Sequence, residues 1–185
     1  MKLLITGATG LIGSSIVEHA LNNKIEVHYL TTRKNKLNTI LGAMGFLWNP
    51  SIQEIDNQCF EGVDTIIHLA GSSISKKWTP ENKKEIFDSR INSTQVLKKG
   101  IEESIKGKIK TIICASAIGI YPYSFDETFT EKNKIFQENY LQEIVIAWEK
   151  ESIKLYSLSA NFFFFLIGLV LSAHGGLLAM LALPV

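Results

Sequence analysis

The sequence predicts an α/β fold in which a doubly wound parallel sheet is covered by helices. Short apolar runs rich in β-branched residues alternate along the chain with longer stretches of helical periodicity. The run at residues 63–69 is apolar almost throughout, which is typical of a strand buried on both faces of a parallel sheet. Strands that alternate with helices of this length indicate βαβ units, so we predict a doubly wound sheet.

The elements can be assigned in order along the chain. Lys2–Thr6 is predicted to be the first strand, and Leu11–Asn22 the first helix, with one face formed by Ile12, Ile16, His19 and Ala20. Further strands are predicted at residues 25–30, 46–48, 63–69, 109–115 and within 157–171. Further helices are predicted near residues 37–41, at Pro80–Ser104 and at 136–154. Pro80 falls in a first helical turn, where its missing N–H does no harm.

Composition limits the classes of function. The 185 residues suffice for one domain with a core, or for one domain and the start of another. The formal net charge is +1 and no basic block stands out, so nucleic-acid binding has no electrostatic support. Cys59 and Cys114 cannot form a disulfide framework, and no metal-ligand spacing links them to the histidines. We therefore expect no metal site and a reducing, cytoplasmic location.

The composition becomes strongly apolar from Phe162 onwards. The run FFFFLIGLVL is followed by SAHGG and then by LLAMLALPV. A membrane-spanning helix needs about 20 largely apolar residues, and the first run is only about half as long. We predict a buried strand, a loop and the first turns of a helix, so membrane binding is not expected. The alternative is a membrane-tethered form that uses residues 162–185.

Three glycines follow the first strand at a spacing of three, in the stretch ITGATGLIG. In a strand–turn–helix unit, Gly7 would allow the tight turn and Gly10 the approach of backbone N–H groups to a pyrophosphate. Gly13 would let the helix pack closely. The phosphates would lie at the helix N-terminus, where free N–H groups and the macrodipole favour negative charge. The context indicates the dinucleotide turn of a Rossmann fold, and an ordinary tight turn is the alternative.

The end of the second predicted strand indicates which dinucleotide is bound. An NAD site would carry Asp or Glu there to bind the ribose 2′-hydroxyl, whereas this chain carries Arg33 and Lys34. A guanidinium can hold a 2′-phosphate through two hydrogen bonds. We therefore predict NADP as the cofactor, and a solvated arginine without a ligand is the alternative.

With these residues in view, the chain resembles the extended short-chain dehydrogenase/reductase superfamily. More narrowly, it is similar to the "epimerase family protein" branch of atypical members, which are NAD-dependent epimerase/dehydratase-like. The narrow resemblance rests on motifs that occur in the expected order over nearly the whole chain: LWNP at 47–50, VDTIIHLAG at 63–71, KWT at 77–79, KEIFDSRINST at 84–94, SAIGIY at 116–121, AWE at 147–149, IGLVLS at 167–172 and GGLL at 175–178.

The resemblance implies a cofactor pocket between the first and fourth predicted strands. Carried over position by position, it predicts the following cofactor contacts: Gly7, Thr9, Gly10, Leu11, Ile12, Gly13, Thr32, Arg33, Leu69, Ala70, Glu85 and Arg90. For Glu85 and Arg90 the alternative is an exposed charge on the long helix without a role in binding.

The catalytic pair of the superfamily is incomplete in this chain. Working members use Tyr-x-x-x-Lys, in which the lysine lowers the pKa of the tyrosine so that it can exchange a proton with substrate. The matching helix has Tyr140, but the position of the lysine is Ile144. The resemblance leaves Ser116 and Tyr121 as the candidate catalytic residues, and Arg90 stands where an asparagine is usual.

The resemblance also implies the domain organisation. Residues 1–171 are predicted to form the NAD(P)-binding Rossmann domain, and 172–185 the start of a C-terminally truncated substrate-binding region. The leading hypothesis is an NADP-binding oxidoreductase or epimerase-like protein acting on a small molecule that the sequence does not identify, with little activity in the 185-residue chain alone. The second hypothesis is a non-catalytic NADP(H)-binding sensor or scaffold. The sequence leaves the oligomeric state open.

Overall fold

A computed structural model describes residues 1–104, 109–133, 139–173, 175–176 and 178 of the chain. The described residues form a seven-stranded sheet in the order β4-β3-β2-β1-β5-β6-β7. The strands are β1 (Lys2–Thr6), β2 (Glu26–Thr31), β3 (Ala43–Asn49), β4 (Glu54–Ile55), β5 (Thr65–His68), β6 (Ile109–Ala117) and β7 (Ser159–Ile167). The helices are α1 (Leu11–Asn22), α2 (Pro80–Ser104) and α3 (Tyr140–Ser152). Only β4 runs antiparallel to its neighbour in this sheet, so the predicted doubly wound α/β fold is confirmed.

The sheet separates two apolar clusters, because successive side chains of a strand point to opposite faces. Leu3 and Ile5 of β1 pack with Val17 of α1 on one face. Leu4, between them in sequence, packs on the other face in the cluster that contains Leu97 of α2. Both faces of β1 are therefore buried, which explains its unbroken apolar sequence.

The connections of the strands create a switch point beside β1. The chain proceeds from β1 outwards to β2 and β3, and later returns to place β5 on the other side of β1. The loops that leave the carboxyl ends of β1 and β5 therefore diverge to opposite faces of the sheet. Ligands of open α/β sheets bind in the crevice at such a point.

Several predicted elements need correction. The helix predicted near residues 37–41 is wrong, because these residues form turns and bends and the nearest helical segment is the single 3-10 turn Lys34–Lys36. In the predicted face of α1, Ala20 is buried and Ile16 packs against the core cluster, but His19 is exposed. Gly13 and Val17 also belong to the buried face. Strand β4, which has two residues and pairs with the end of β3, was not predicted. It makes the predicted fourth strand the fifth in the chain, β5.

Strand β7 was predicted to be buried, but it lies at the edge of the sheet and is buried on one face. Phe162 and Phe164 pack against the core cluster, whereas Phe163 and Phe165 are 54% and 62% exposed. Within the described ranges, no helix combines the length and the apolar character that a bilayer crossing requires.

Some predictions concern residues that are not described or only partly so. Residues 136–138 of the third long helix and most of the predicted 172–185 region lie outside the described residues. The short strands β8 (Leu171–Ser172) and β9 (Gly175–Gly176) pair antiparallel across the predicted domain boundary. The boundary itself stays a prediction.

Candidate functional site

The turn between β1 and α1 has a backbone that only glycines allow. Gly7 adopts a φ of +72°, in the left-handed region that favours glycine. The Gly10 N–H donates to the Gly7 carbonyl over 2.9 Å and closes the turn. A Cβ atom on Gly13 would lie 2.2 Å from the same carbonyl oxygen, which is far too close. The three glycines thus hold α1 directly against the turn, as the sequence predicted.

The N-terminus of α1 presents amide groups that no side chain of its own caps. Gly10 is the N-cap residue and has no side chain, and the first turn contains no acidic residue. The first N–H groups of a helix have no partner within the helix, and here Leu11, Ile12 and Gly13 supply them. Thr9 beside them is exposed. This cradle fits an anion such as a phosphate, because the donors and the helix dipole act together.

The parallel register brings the other predicted contacts to the same edge of the sheet. Thr6 is level with Leu30 of β2 on one side and with His68 of β5 on the other. The residues that follow these strands therefore flank the glycine turn: Thr32 and Arg33 after β2, and Leu69 and Ala70 after β5. A Cβ on Gly7 would lie 3.1 Å from the Leu69 carbonyl, so the turn and the loop after β5 are in contact.

A buried polar chain, not predicted from the sequence, fixes the loop after β5. The Thr6 hydroxyl oxygen accepts the N–H groups of Leu69 and Ala70, each over 3.0 Å. Its proton must then go to Nδ1 of His68 at 2.8 Å, which leaves Nε2–H to donate to the Thr94 hydroxyl of α2 at 3.1 Å. His68 is therefore held neutral in one tautomer, and its burial lowers its pKa to about 4. The signal in the sequence was a histidine inside an apolar strand.

Thr32 and Arg33 are exposed at the end of β2. The Arg33 main-chain N–H donates to Thr31 Oγ1 over 3.2 Å, and none of the described carboxylates forms an ion pair with its guanidinium. Thr32 also lines an open groove of about 580 Å³ beside the ends of β2 and β3, which includes Trp48 and Asn49. The arginine is thus free to contact a ligand at the predicted adenosine end.

Glu85 secures the segment between β5 and α2. Its carboxylate accepts the Ser72 hydroxyl at 2.7 Å and pairs with the Lys76 ammonium at 2.5 Å, and these hydrogen bonds lower its pKa. The side chain is half exposed, so the ion pair itself adds little stability. The predicted contact between Glu85 and a cofactor stays a prediction.

Arg90 lies on α2, and its side chain contacts α3 and the loop after β5. Its Nη1 donates to the carbonyls of Ser72 at 3.1 Å and Ile86 at 2.9 Å. The guanidinium carbon is 5.1 Å from the centre of the Trp148 ring. A Cβ atom on Gly71 would lie 3.1 Å from the same guanidinium carbon. Burial lowers the pKa of the guanidinium, because desolvation disfavours its charge.

The candidate catalytic residues lie near a carboxylate that sequence reasoning did not select as a catalytic group. Ser116, at the end of β6, is 1% exposed, and its hydroxyl donates to Oε1 of Glu149 on α3. Tyr121 stacks on Phe129 with ring centres 5.6 Å apart. Burial, and then the charges of Glu131 and Glu149, raise the Tyr121 pKa. The signal in the sequence was the AWE motif at 147–149, which was noted for the family resemblance alone.

Tyr140 begins α3 but is not activated in the manner of the superfamily. Its hydroxyl donates to the Lys83 carbonyl over 2.6 Å, and Ile144 one turn later is buried. Burial and the charge of Glu143 are the largest effects on its pKa, which is raised overall although Arg90 lowers it. The phenol is therefore held protonated, as expected from the missing lysine.

Comparison with known proteins identifies relatives along the whole chain. A family model described as "NAD dependent epimerase/dehydratase family" matches residues 3–145. An Epimerase family protein of Staphylococcus aureus (strain NCTC 8325) is 32% identical over 99% of this chain. An Epimerase family protein of Staphylococcus saprophyticus is 33% identical over 98% of this chain. The chain spans 60% and 59% of the length of these two relatives.

Solved structures share the fold. A nucleoside-diphosphate sugar epimerase from Corynebacterium glutamicum has a TM-score of 0.77 and 26% identity, covering 98% of this chain and 36% of its own. A human epimerase family protein, solved with NADPH, has a TM-score of 0.77 at 20% identity, covering 100% of this chain and 59% of its own. A UDP-glucuronic acid 4-epimerase from Bacillus cereus, solved with NAD, has a TM-score of 0.73 at 17% identity, covering 95% and 59%.

Proposed function

The chain belongs to the NAD dependent epimerase/dehydratase family, and we propose that it binds a nicotinamide dinucleotide at the carboxyl ends of β1, β2 and β5. In this proposal the chain is the cofactor-binding part of an oxidoreductase or epimerase-like enzyme that acts on a small molecule. The observation that carries the proposal is the glycine turn with its uncapped helix N-terminus. A Cβ atom on Gly13 would clash with the turn, so this geometry requires glycine there. The turn has room only for backbone, and its free donors are those that a diphosphate accepts.

We propose NADP(H) as the preferred dinucleotide. Arg33 is exposed beside the turn and has no carboxylate partner among the described residues, so its fork of donors is available to a 2′-phosphate. No acidic residue takes the place beside it that would hold a ribose 2′-hydroxyl. The human relative solved with NADPH is consistent with this choice.

The preference can be tested on the purified chain. Titration with NADPH and NADH, followed by the fluorescence of the bound nicotinamide, should give tighter binding of NADPH. Arg33→Asp should weaken NADPH at least tenfold and change NADH much less, because only NADPH loses a charged partner. Lys24→Asp changes the same charge far from the turn and is the control. An equal loss for both dinucleotides in Arg33→Asp would contradict the assignment of the 2′-phosphate.

A bound nicotinamide would take up or deliver a hydride. In this proposal Tyr121 could act only as a proton donor, because a phenol is protonated at neutral pH and burial raises the Tyr121 pKa further, so that, like Tyr140, it is not activated as a base. The Ser116 hydroxyl donates a hydrogen bond to the Glu149 carboxylate. This pair can therefore hold a proton in position, or receive one, at the end of β6. Neither group depends on the missing lysine at position 144.

The absence of that lysine favours a second candidate, a non-catalytic NADP(H) sensor or scaffold. Substrate-dependent oxidation of NADPH by a full-length relative, measured over a broad panel of carbonyl compounds and nucleotide sugars, separates the two candidates. Substrate-dependent turnover supports the enzyme. Binding without turnover over the whole panel supports the sensor.

A further inference from the structure

Thr94 on α2 begins a chain of hydrogen bonds that ends at the loop after β5. Thr94 is buried, and its hydroxyl donates over 2.9 Å to the carbonyl of Arg90, four residues earlier in the same helix. A hydroxyl has one proton, so toward any other group the Thr94 oxygen can only accept a hydrogen bond. The group that it meets is the ring of His68, with Nε2 at a distance of 3.1 Å.

This arrangement fixes the direction of the other hydrogen bonds in the chain. Because Thr94 accepts, Nε2 of His68 must carry the ring proton, and the neutral ring then leaves Nδ1 as an acceptor. Nδ1 lies 2.8 Å from the Thr6 hydroxyl, which therefore donates to it. The Thr6 oxygen is left to accept the N–H groups of Leu69 and Ala70, each over 3.0 Å. A side chain on α2 thus decides how the loop after β5 is held.

The same helix holds the loop at its other end. The Ser72 N–H donates to the Ser89 hydroxyl over 2.9 Å, and the Ser72 carbonyl accepts from Arg90. Between these two attachments the loop packs on the glycine turn, where a Cβ atom on Gly7 would lie 3.1 Å from the Leu69 carbonyl. The position of the loop beside the turn therefore depends on α2 at both ends.

We propose that Thr94 is a positioning residue for the dinucleotide, which it does not touch. It acts through His68 and Thr6 on the loop that contains Leu69 and Ala70, one wall of the proposed crevice. The inference rests on the proposed function, in which the dinucleotide contacts both the glycine turn and this loop. If Thr94 only filled space, either tautomer of His68 would serve equally well.

Loss of the Thr94 hydroxyl should change the tautomer of His68. In Thr94→Val, which is close in shape to threonine, Nε2–H would have no acceptor in the described part of the chain, and an unpaired buried donor is costly. With the proton on Nδ1 instead, the ring would donate to the Thr6 oxygen and compete with the loop amides for it. The Thr6 proton would then lack its acceptor, and the loop would lose its fixed place beside the turn.

The effect on binding is measured on the full 185-residue chain by titration with NADPH, followed by nicotinamide fluorescence. Thr94→Val should weaken NADPH by about tenfold, because the loop is no longer held. Thr94→Ser keeps the hydroxyl and should stay within about twofold of the wild type. Thr111→Val removes a hydroxyl near the amino-terminal end of β6, away from the crevice, and is the control. Far-UV circular dichroism verifies that each variant is folded during the titration.

The ring of His68 provides a readout that a purely structural role would not move. In ¹⁵N NMR of the histidine-labelled chain, the His68 resonances are identified by their absence in His68→Gln. Nε2 should be protonated and Nδ1 unprotonated in the wild type and in Thr94→Ser, whereas Thr94→Val should show the reverse or a mixture. A wild-type ring protonated on Nδ1 overturns the proposal, and this measurement does not require Thr94→Val to fold.

The binding data separate this proposal from the proposed function. Equal NADPH affinities for the wild type and Thr94→Val overturn the role of Thr94 and leave the proposed function intact. An equal loss in Thr94→Ser and Thr94→Val also overturns it, because the hydroxyl would then not be the cause. A wild-type chain that binds no NADPH refutes the proposed function and this role together.

Discussion

At the scale of single residues, the site depends on a glycine that has no Cβ atom and on a histidine that is held in one tautomer. Gly13 is required because its missing Cβ lets α1 approach the Gly7 carbonyl. His68 is required because, in its neutral form, Nδ1 accepts a hydrogen bond from the Thr6 hydroxyl and Nε2–H donates one to the Thr94 hydroxyl. Each residue can be tested by a change that alters this one property.

Gly13→Ala should disrupt the turn. The added methyl would lie 2.2 Å from the Gly7 carbonyl oxygen, so the helix or the turn must move. We expect a loss of about 1–3 kcal/mol in the free energy of unfolding, measured with urea, and loss of NADPH binding. Gly168→Ala is the control, since its nearest atom would be at 3.6 Å. Undiminished NADPH binding by Gly13→Ala would show that the turn does not hold the diphosphate.

The stability of the chain should depend on the protonation of His68. Its pKa is about 4 in the folded protein, against about 6.5 for an exposed histidine, so the unfolded chain binds more protons between these values. The free energy of unfolding should therefore fall as the pH drops from 6.5 to 4, by up to roughly 3 kcal/mol from this group. His68→Gln should be less stable at pH 7.5, but should lack this part of the pH dependence. Parallel profiles for the two proteins would exclude His68 as the source.

At the scale of elements, β7 shows how position in the sheet decides the burial of a side chain. Phe162 to Phe165 are identical in type, but alternate residues face opposite sides of the sheet. On one side the core cluster covers them, and on the other side Phe163 and Phe165 are exposed. The composition alone predicted a buried strand because it carries no information about which faces are covered.

Substitutions in β7 should therefore differ sharply between neighbours. Phe164→Ala removes a ring packed against the core and should cost about 2–4 kcal/mol in the free energy of unfolding. Phe163→Ala removes a ring that is 54% exposed and should cost less than about 1 kcal/mol. Urea denaturation of both variants under the same conditions measures the difference. Equal costs would mean that the face bearing Phe163 is covered in solution.

At the scale of the whole molecule, the proposed cofactor crevice exists only when the sheet is assembled. The glycine turn, the end of β2 and the loop after β5 are distant in sequence and meet through the register of three parallel strands. The chain spans 60% of the length of its Staphylococcus aureus relative, so activity on a substrate is a proposal about the whole protein.

NADPH should raise the thermal stability of the chain. Its proposed site is built from three strands and exists only in the folded state, so NADPH binds the folded state and not the unfolded one. At a hundredfold excess over Kd the expected gain is about 2.7 kcal/mol. For a chain of this size each kcal/mol raises Tm by roughly 2–4 °C. Differential scanning fluorimetry with increasing NADPH measures the shift, and NMN is the control because it lacks the adenosine half. A Tm independent of NADPH would contradict the proposed crevice.

The sequence by itself determined the α/β class, the main helices and strands, and the glycine turn, because these follow from local periodicity and from backbone freedom at single positions. It also indicated the missing lysine at Ile144 and the arginine at position 33. Only the tertiary structure decided which polar groups meet across elements: Thr6 with His68, Ser116 with Glu149, and Arg90 with Trp148. These pairs depend on strand register and helix packing, and contacts between residues so far apart in the chain leave no periodic signal in the sequence.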